Sequence, residues 1–314
     1  MTTDHHHHDC DEHGCTSHEP TGIYIISPSS AVEQATQLQQ AQQNLAALGW
    51  QVDLDPDALA VWQRFAGTDE QRLQAIQRAV AQPHPVVLSS RGGYGLSRLL
   101  PAIDWRAIAD SGKYFVGHSD FTAFNLALLA QTGAISYAGP CAAFDFGVKE
   151  PDDLTLDLFH EAMTGQLEIL SFESEQSDAV DARGILWGGN LAMLCSLLGT
   201  PYFPQIDGGI LFIEDVGEHP YRIERYLTQL WQAGVLQKQH AIVLGQFTGY
   251  RLAEHDRGFD LQAVIAWLRA TVKVPVVLNL PYGHVPLKAT LPVGKKIGIA
   301  TEDEMAYLVI EEHH

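Results

Sequence analysis

Three residues in this chain have side chains and surroundings suited to nucleophilic chemistry: Ser119, Glu214 and His284. Ser119 lies in KYFVGHSDFTAFNLALLAQTG, residues 113–133. The apolar run Tyr114-Phe115-Val116 reads as a buried strand, and from Phe121 apolar residues recur at helical spacing. A serine on the intervening turn exposes its hydroxyl at a sheet end, where helix N–H groups favour negative charge. The turn has the mechanics of a nucleophile elbow without the second glycine of G-x-S-x-G. A serine there can also simply cap the helix, with Asp120 helping. Glu214 and Asp215 follow the strand Gly209 to Ile213, where an unpaired carboxylate is costly. Orienting a histidine would justify one of them, and capping the next helix would justify Asp215. His284 follows the strand Val274 to Leu278 in a Pro/Gly turn. A serine hydroxyl needs a base, histidine suits that task, and a carboxylate fixes the imidazole tautomer. Spacing alone does not bring the three together.

The elements that must position them alternate. Strands are predicted at Gly22 to Ile26, Trp50 to Leu54, Pro85 to Leu88 and Ala241 to Gly245. Helices are predicted at 31–48, 69–81, 191–198, 219–233 and 261–271. Alternating strand and helix argues for an α/β protein with a parallel sheet, whose ligands bind beyond the carboxyl ends of the strands. The turn Gly92-Gly93-Tyr94-Gly95 shares that edge with Ser119. Its glycines let backbone N–H approach a substrate oxygen, half of an oxyanion hole completed by the N–H of Asp120. A plain tight turn is the alternative. A phosphate loop is disfavoured, because neither G-x-x-x-x-G-K-[ST] nor G-x-G-x-x-G is present.

With 314 residues the chain is long enough for two domains. We divide it into a His-rich tail at 1–20, an N-terminal domain at 21–145, an acidic connector at 146–183 and a C-terminal domain at 184–314. A net charge of −19 argues against a nucleic-acid partner. No apolar run is long enough for a membrane span, and no secretory signal is evident, so a cytoplasmic protein is expected. Cys141 and Cys195 read as buried free thiols. The tail carries His5, His6, His7 and His8 with Cys10, His13, Cys15 and His18, all potential zinc or nickel ligands. A tail or tag that binds metal only incidentally is the plainer reading. His84, His118, His219, His240 and His255 are taken as structural or exposed.

From residue 22 to 310 the chain resembles the L,D-carboxypeptidases, serine peptidases that include muramoyltetrapeptide carboxypeptidase and the microcin-C-degrading peptidases. The resemblance rests on SSRGGYG at 89–95, GHSD at 117–120, LWGGNL at 186–191, LFIEDVGEHPYRIER at 211–225, YGH at 282–284 and LPVG at 291–294. It implies Ser119 as nucleophile, Glu214 as acid and His284 as base, with oxyanion N–H groups from the Gly93 turn and Asp120. It implies an N-terminal Rossmann-like parallel-sheet domain, a strand-rich mixed α/β C-terminal domain and a homodimer. No cofactor and no metal in the core are expected. The GGNL and EDVGEHPYRIER segments look like the murein-recycling branch, so the implied substrate is a murein tetrapeptide cut between meso-diaminopimelate and D-alanine. A microcin-type amidase acting on aminoacyl- or peptidyl-nucleotides is the alternative, and would need an aromatic surface to stack a base. A ligand-binding or metal-carrying protein is a third reading. Arg91, Arg222 and Arg225 are candidates for the substrate carboxylate, because guanidinium matches that geometry. On a helix, Arg222 and Arg225 are also ordinary surface ion-pair residues. Tyr94, Trp187 and Asn190 are candidates for the substrate cleft.

Overall fold

The structure is a computed structural model and describes residues 21–310. The histidines and cysteines of the tail lie outside the described residues.

The first sheet is built from β1 (Gly22–Ile26), β2 (Gln51–Leu54), β3 (Val86–Ser89), β4 (Tyr114–Gly117) and β5 (Ser136–Ala138). All five run parallel, in the order β5-β4-β3-β1-β2. Helices α1 (Ala35–Ala47), α2 (Asp69–Ala81), α3 (Trp105–Asp110) and α4 (Thr122–Thr132) fall between them. The period-2 alternation of β1 serves both faces: Ile23 and Ile25 pack on one side of the sheet, Tyr24 and Ile26 on the other. Helix α2 spans the predicted 69–81, because Thr68 accepts from Gln71 N–H in a capping box and Asp69 and Glu70 occupy the first turn.

The second sheet is mixed. Strands β7 (Asp181–Asn190), β8 (Ile210–Val216), β9 (Ala241–Thr248) and β10 (Val276–Val277) are parallel. Beyond β7, strands β12 (Lys296–Glu302), β13 (Met305–Val309) and β6 (Ile169–Glu173) continue antiparallel. Helices α6 (Leu191–Ser196), α7 (Pro220–Gln232) and α8 (Leu261–Val272) connect the parallel strands. The segment 146–183, read from its acids as a connector, contains α5 (Asp153–Thr164) and β6, the edge strand of this sheet.

Two features join the halves. Strand β11 (Leu291–Val293) leaves the second unit and pairs antiparallel with β5, closing the edge of the first sheet. Helix α4 is buried from Thr122 to Leu129 on every face, as a helix in the middle of a core must be. One hydrophobic cluster runs from Phe115 and Phe124 of the first unit to Trp187 and Phe212 of the second. A Cβ at Gly189 would meet the Thr122 hydroxyl at 2.6 Å, so only glycine lets β7 approach α4 closely enough for Asn190 N–H to donate to Thr122 Oγ1 at 3.0 Å. Among the described residues, no helix is long and apolar enough to cross a membrane.

Candidate active site

Ser119 opens a short 3-10 turn (Ser119–Phe121) between β4 and α4. Its φ of +61° is left-handed, a region in which a side chain costs about 1–2 kcal/mol. That strain turns the chain sharply and leaves the residue half-buried at the strand end. A Cβ at Gly92 would lie 2.7 Å from Ser119 Cβ and 3.0 Å from its hydroxyl, so the glycine turn presses its backbone directly against this serine. Gly93 has φ +103° and closes on Ser30. The backbone N–H groups of Gly93 and Asp120 take no part in the backbone hydrogen bonds of the surrounding turns.

No side chain caps the turn or α4, and that of Asp120 does something else. It is fully buried, and its Oδ2 accepts from Ser29 Oγ at 2.7 Å and from Leu96 N–H at 3.0 Å. It thereby ties the loops after β1 and β3 to the Ser119 turn. Burial pushes its carboxyl above the usual range, against the lowering effect of those two hydrogen bonds.

Glu214 sits in β8 opposite Asn190 of β7, at a register shift between Ile213 and Asp215. Successive strand residues normally face opposite sides; at a bulge they need not. Both Glu214 and Asp215 accordingly reach one amide: Asn190 Nδ2 donates to Glu214 Oε1 at 3.2 Å and to Asp215 Oδ1 at 3.0 Å. Asp215 Oδ2 also accepts from Ala192 N–H at 2.9 Å, at the start of α6. Burial, assisted by the Glu214 charge, pushes the Asp215 carboxyl up to about 6, against the hydrogen bonds it receives.

His284 is carried by a segment laid along the end of β9. Leu280 N–H donates to Leu244 O at 3.0 Å, and Gln246 N–H donates to Tyr282 O at 2.9 Å. Tyr282 is fully buried and anchors the segment. His284 Nδ1 then lies 2.9 Å from Glu214 Oε2, whose residue is fully buried. The ring of His284 packs on that of His118 with centroids 4.4 Å apart. His118 Nδ1 is 3.1 Å from the Tyr282 hydroxyl. Burial holds the His118 imidazole well below its ordinary pKa, and the nearby charges of Lys288 and His284 act in the same direction.

A cavity of about 760 Å³ brings Gly92, Gly93, His118, Ser119 and His284 to one surface. Arg91, Phe144, Asp145 and Lys288 line it as well. Arg91 donates to Ala31 O at 3.0 Å, pairs with Glu33 at 3.1 Å and lies over the half-exposed Phe144 ring at 4.9 Å. Lys288 is buried and donates to Asp145 Oδ1 at 2.7 Å. Lys288, Asp145 and Phe144 are not legible as site residues in the sequence. The ion pair joins residues 143 positions apart, and neither carries a local signal. His118, set aside there as structural or exposed, is buried directly against His284.

Several expected cleft residues lie elsewhere. Trp187 is wholly buried, and its indole N–H donates to Gln239 Oε1 at 2.9 Å. Asn190 is buried behind Glu214 rather than lining the cavity. Arg222 lies on the outer face of α7, 3.6 Å from Glu218, and Arg225 packs over the rings of Tyr221 and Tyr226. Tyr94 is half-exposed, packs beside Phe65 and does not line the cavity. Cys141 and Cys195 are buried free thiols, both pushed up to about 12 by burial. Among the described residues, His118, Glu214 and His284 are the side chains whose grouping could hold a metal ion.

Comparison with known proteins matches residues 23–139 to the N-terminal domain of LD-carboxypeptidase and residues 183–299 to its C-terminal domain. The murein tetrapeptide carboxypeptidase of Pseudomonas aeruginosa is 31% identical, over 87% of this chain and 91% of its own. The crystal structure of muramoyltetrapeptide carboxypeptidase from Oxalobacter formigenes superposes with a TM-score of 0.87 at 43% identity, covering 93% of this chain and 99% of that one. A structure of MccF in complex with glutamyl sulfamoyl guanosine superposes with a TM-score of 0.85 at 25% identity, covering 94% and 97%.

Proposed function

This chain belongs to the LD-carboxypeptidase family, and from that premise we propose that it is a serine carboxypeptidase acting through Ser119, His284 and Glu214. The observation that carries the reading is the 2.9 Å contact between His284 Nδ1 and buried Glu214, at a cavity His284 shares with the strained Ser119. His284 Nε2 takes the hydroxyl proton as Ser119 Oγ attacks the carbonyl before the terminal residue. Glu214 holds the Nδ1–H tautomer and stabilises the imidazolium that forms. The N–H groups of Gly93 and Asp120 receive the oxyanion, each contributing about 3 kcal/mol of transition-state stabilisation. The imidazolium returns its proton to the leaving amine, and the C–N bond breaks. Water, deprotonated by His284, then releases the acid product from the Ser119 ester.

The substrate we assign is a murein tetrapeptide, cut between meso-diaminopimelate and D-alanine in cell-wall recycling, by a cytoplasmic homodimer. A carboxypeptidase must bind a terminal carboxylate. The arginine and lysine side chains lining the cavity are Arg91 and Lys288. Arg91 is the better candidate, since its partner Glu33 is exposed, whereas Lys288 is held in a buried ion pair with Asp145. The 43% identity to a muramoyltetrapeptide carboxypeptidase, against 25% to MccF, favours this substrate.

One observation keeps the nucleotide-amide reading in play: Phe144 offers a half-exposed ring in the cavity. The test is the ratio of kcat/KM for D-alanine release from a diaminopimelate-containing tetrapeptide to that for cleavage of an aminoacyl sulfamoyl nucleotide. Efficient release of D-alanine alone supports the murein assignment. Preference for the nucleotide amide overturns it in favour of the second reading.

A further inference from the structure

His118 has a feature that the serine mechanism does not use. Its Nδ1 is engaged by the Tyr282 hydroxyl at 3.1 Å, but its Nε2 is buried with no hydrogen-bond partner. A buried polar atom without a partner is costly and calls for a reason. Beside it are two further ligand types, the His284 imidazole and the Glu214 carboxylate. Ligand atoms of all three side chains lie within 4.8 Å of one another. A cation with bonds of about 2.0–2.2 Å holds its ligands up to roughly 4 Å apart, so side-chain shifts of about 1 Å close the site. Two imidazoles and one carboxylate suit zinc and its neighbours, whereas magnesium and calcium prefer oxygen donors.

We propose that His118, Glu214 and His284 form an inhibitory site for a zinc-class divalent cation, which shuts off the serine chemistry by taking the base and its orienting acid as ligands. Occupancy removes His284 as proton acceptor for Ser119 and removes Glu214 as partner for the His284 ring. The cation adds no catalytic step; it competes with the reaction for side chains already in place. His118 is the residue that makes the site, because without it the remaining pair offers only one imidazole and one carboxylate. The inhibition rests on the triad reading above, whereas the binding does not.

The experiment uses the full-length chain, so that metal bound by the tail histidines is common to every sample. Labelling of Ser119 by a fluorophosphonate probe is followed with zinc, with magnesium, and with zinc followed by chelator, in wild type and His118→Phe. Zinc at about ten times its Kd should slow wild-type labelling about tenfold, and chelator should restore it. Magnesium should have no effect, and His118→Phe should label at the same rate with and without zinc. His118→Gln replaces the Phe variant if the latter does not fold. An equal zinc effect in wild type and variant, or none in wild type, overturns the proposal. If the probe fails to label wild type even without metal, it is the serine reading that fails. Cobalt binding then decides the site: one more bound cobalt per chain in wild type than in the variant supports it, and equal stoichiometry sinks it.

Discussion

Replacing Glu214 with glutamine tests the acid–base relay with almost no change in shape. The carboxylate accepts on both oxygens, from His284 Nδ1 at 2.9 Å and from Asn190 Nδ2 at 3.2 Å. An amide can accept at only one of those positions and must donate at the other. With its oxygen toward Asn190, its NH₂ faces His284 and forces the proton onto Nε2, the tautomer that cannot accept from Ser119. With its oxygen toward His284, two NH₂ groups meet in a fully buried site. In either orientation the charge that stabilises the imidazolium is gone. Charges about 4 Å apart at an effective dielectric of about 20 interact by about 4 kcal/mol. That alone is about a thousandfold in rate, and the tautomer penalty extends the loss toward ten-thousandfold. The assay is kcat for D-alanine release by Glu214→Gln, with circular dichroism to establish folding. A folded variant within about tenfold of wild type would refute the relay, because no orientation of the amide preserves both the tautomer and the charge.

Three further outcomes follow from the same geometry. Gly92→Ala adds a Cβ 2.7 Å from that of Ser119; relieving the clash by displacing the nucleophile by about 1 Å should cost about a hundredfold in kcat/KM, and wild-type activity would show that the contact does not position it. Ser119→Gly should be about 1 kcal/mol more stable than Ser119→Ala in urea denaturation, because only glycine relieves the +61° φ; equal midpoints would remove the strain argument. The Asp215 carboxyl, raised from 3.8 to about 6, binds its proton more tightly in the native than in the unfolded state. Its stabilising effect is therefore complete below about pH 4 and lost as the pH rises through about 6, about 3 kcal/mol in all. The stability gap between wild type and Asp215→Asn should shift by that amount, against wild type, between pH 4 and 7; a pH-independent gap would contradict the raised value.

Much of the architecture was written locally. Helix α2 could be read closely, because Thr68 and the two first-turn acids Asp69 and Glu70 are start signals. The strand–turn–helix at Ser119 was legible for the same reason: apolar period, turn and helix lie within one short stretch. What could not be read depends on pairing at a distance. The LPVG segment looks like any short strand, yet it crosses to the first sheet because β5 offers an open edge there. Trp187 and Asn190 sit beside a glycine pair that resembles a ligand turn. Gly189 instead admits α4, Gly188 lies against the Phe212 backbone of β8, and the two side chains turn inward to Gln239 and to the paired acids. Sequence showed Glu214 and Asp215 at a strand end, whereas the bulge that turns both toward Asn190 is visible only in the register with β9. Lys288 and Asp145 satisfy each other in the cavity wall, and no local pattern marks either.

The most direct test of the account is release of D-alanine from a diaminopimelate-containing tetrapeptide by wild type and by Ser119→Ala, each with and without chelator. Wild type should release D-alanine undiminished by chelator, and the variant none above background. Equal release by both proteins would remove Ser119 as the nucleophile and with it the chemistry assigned to His284 and Glu214.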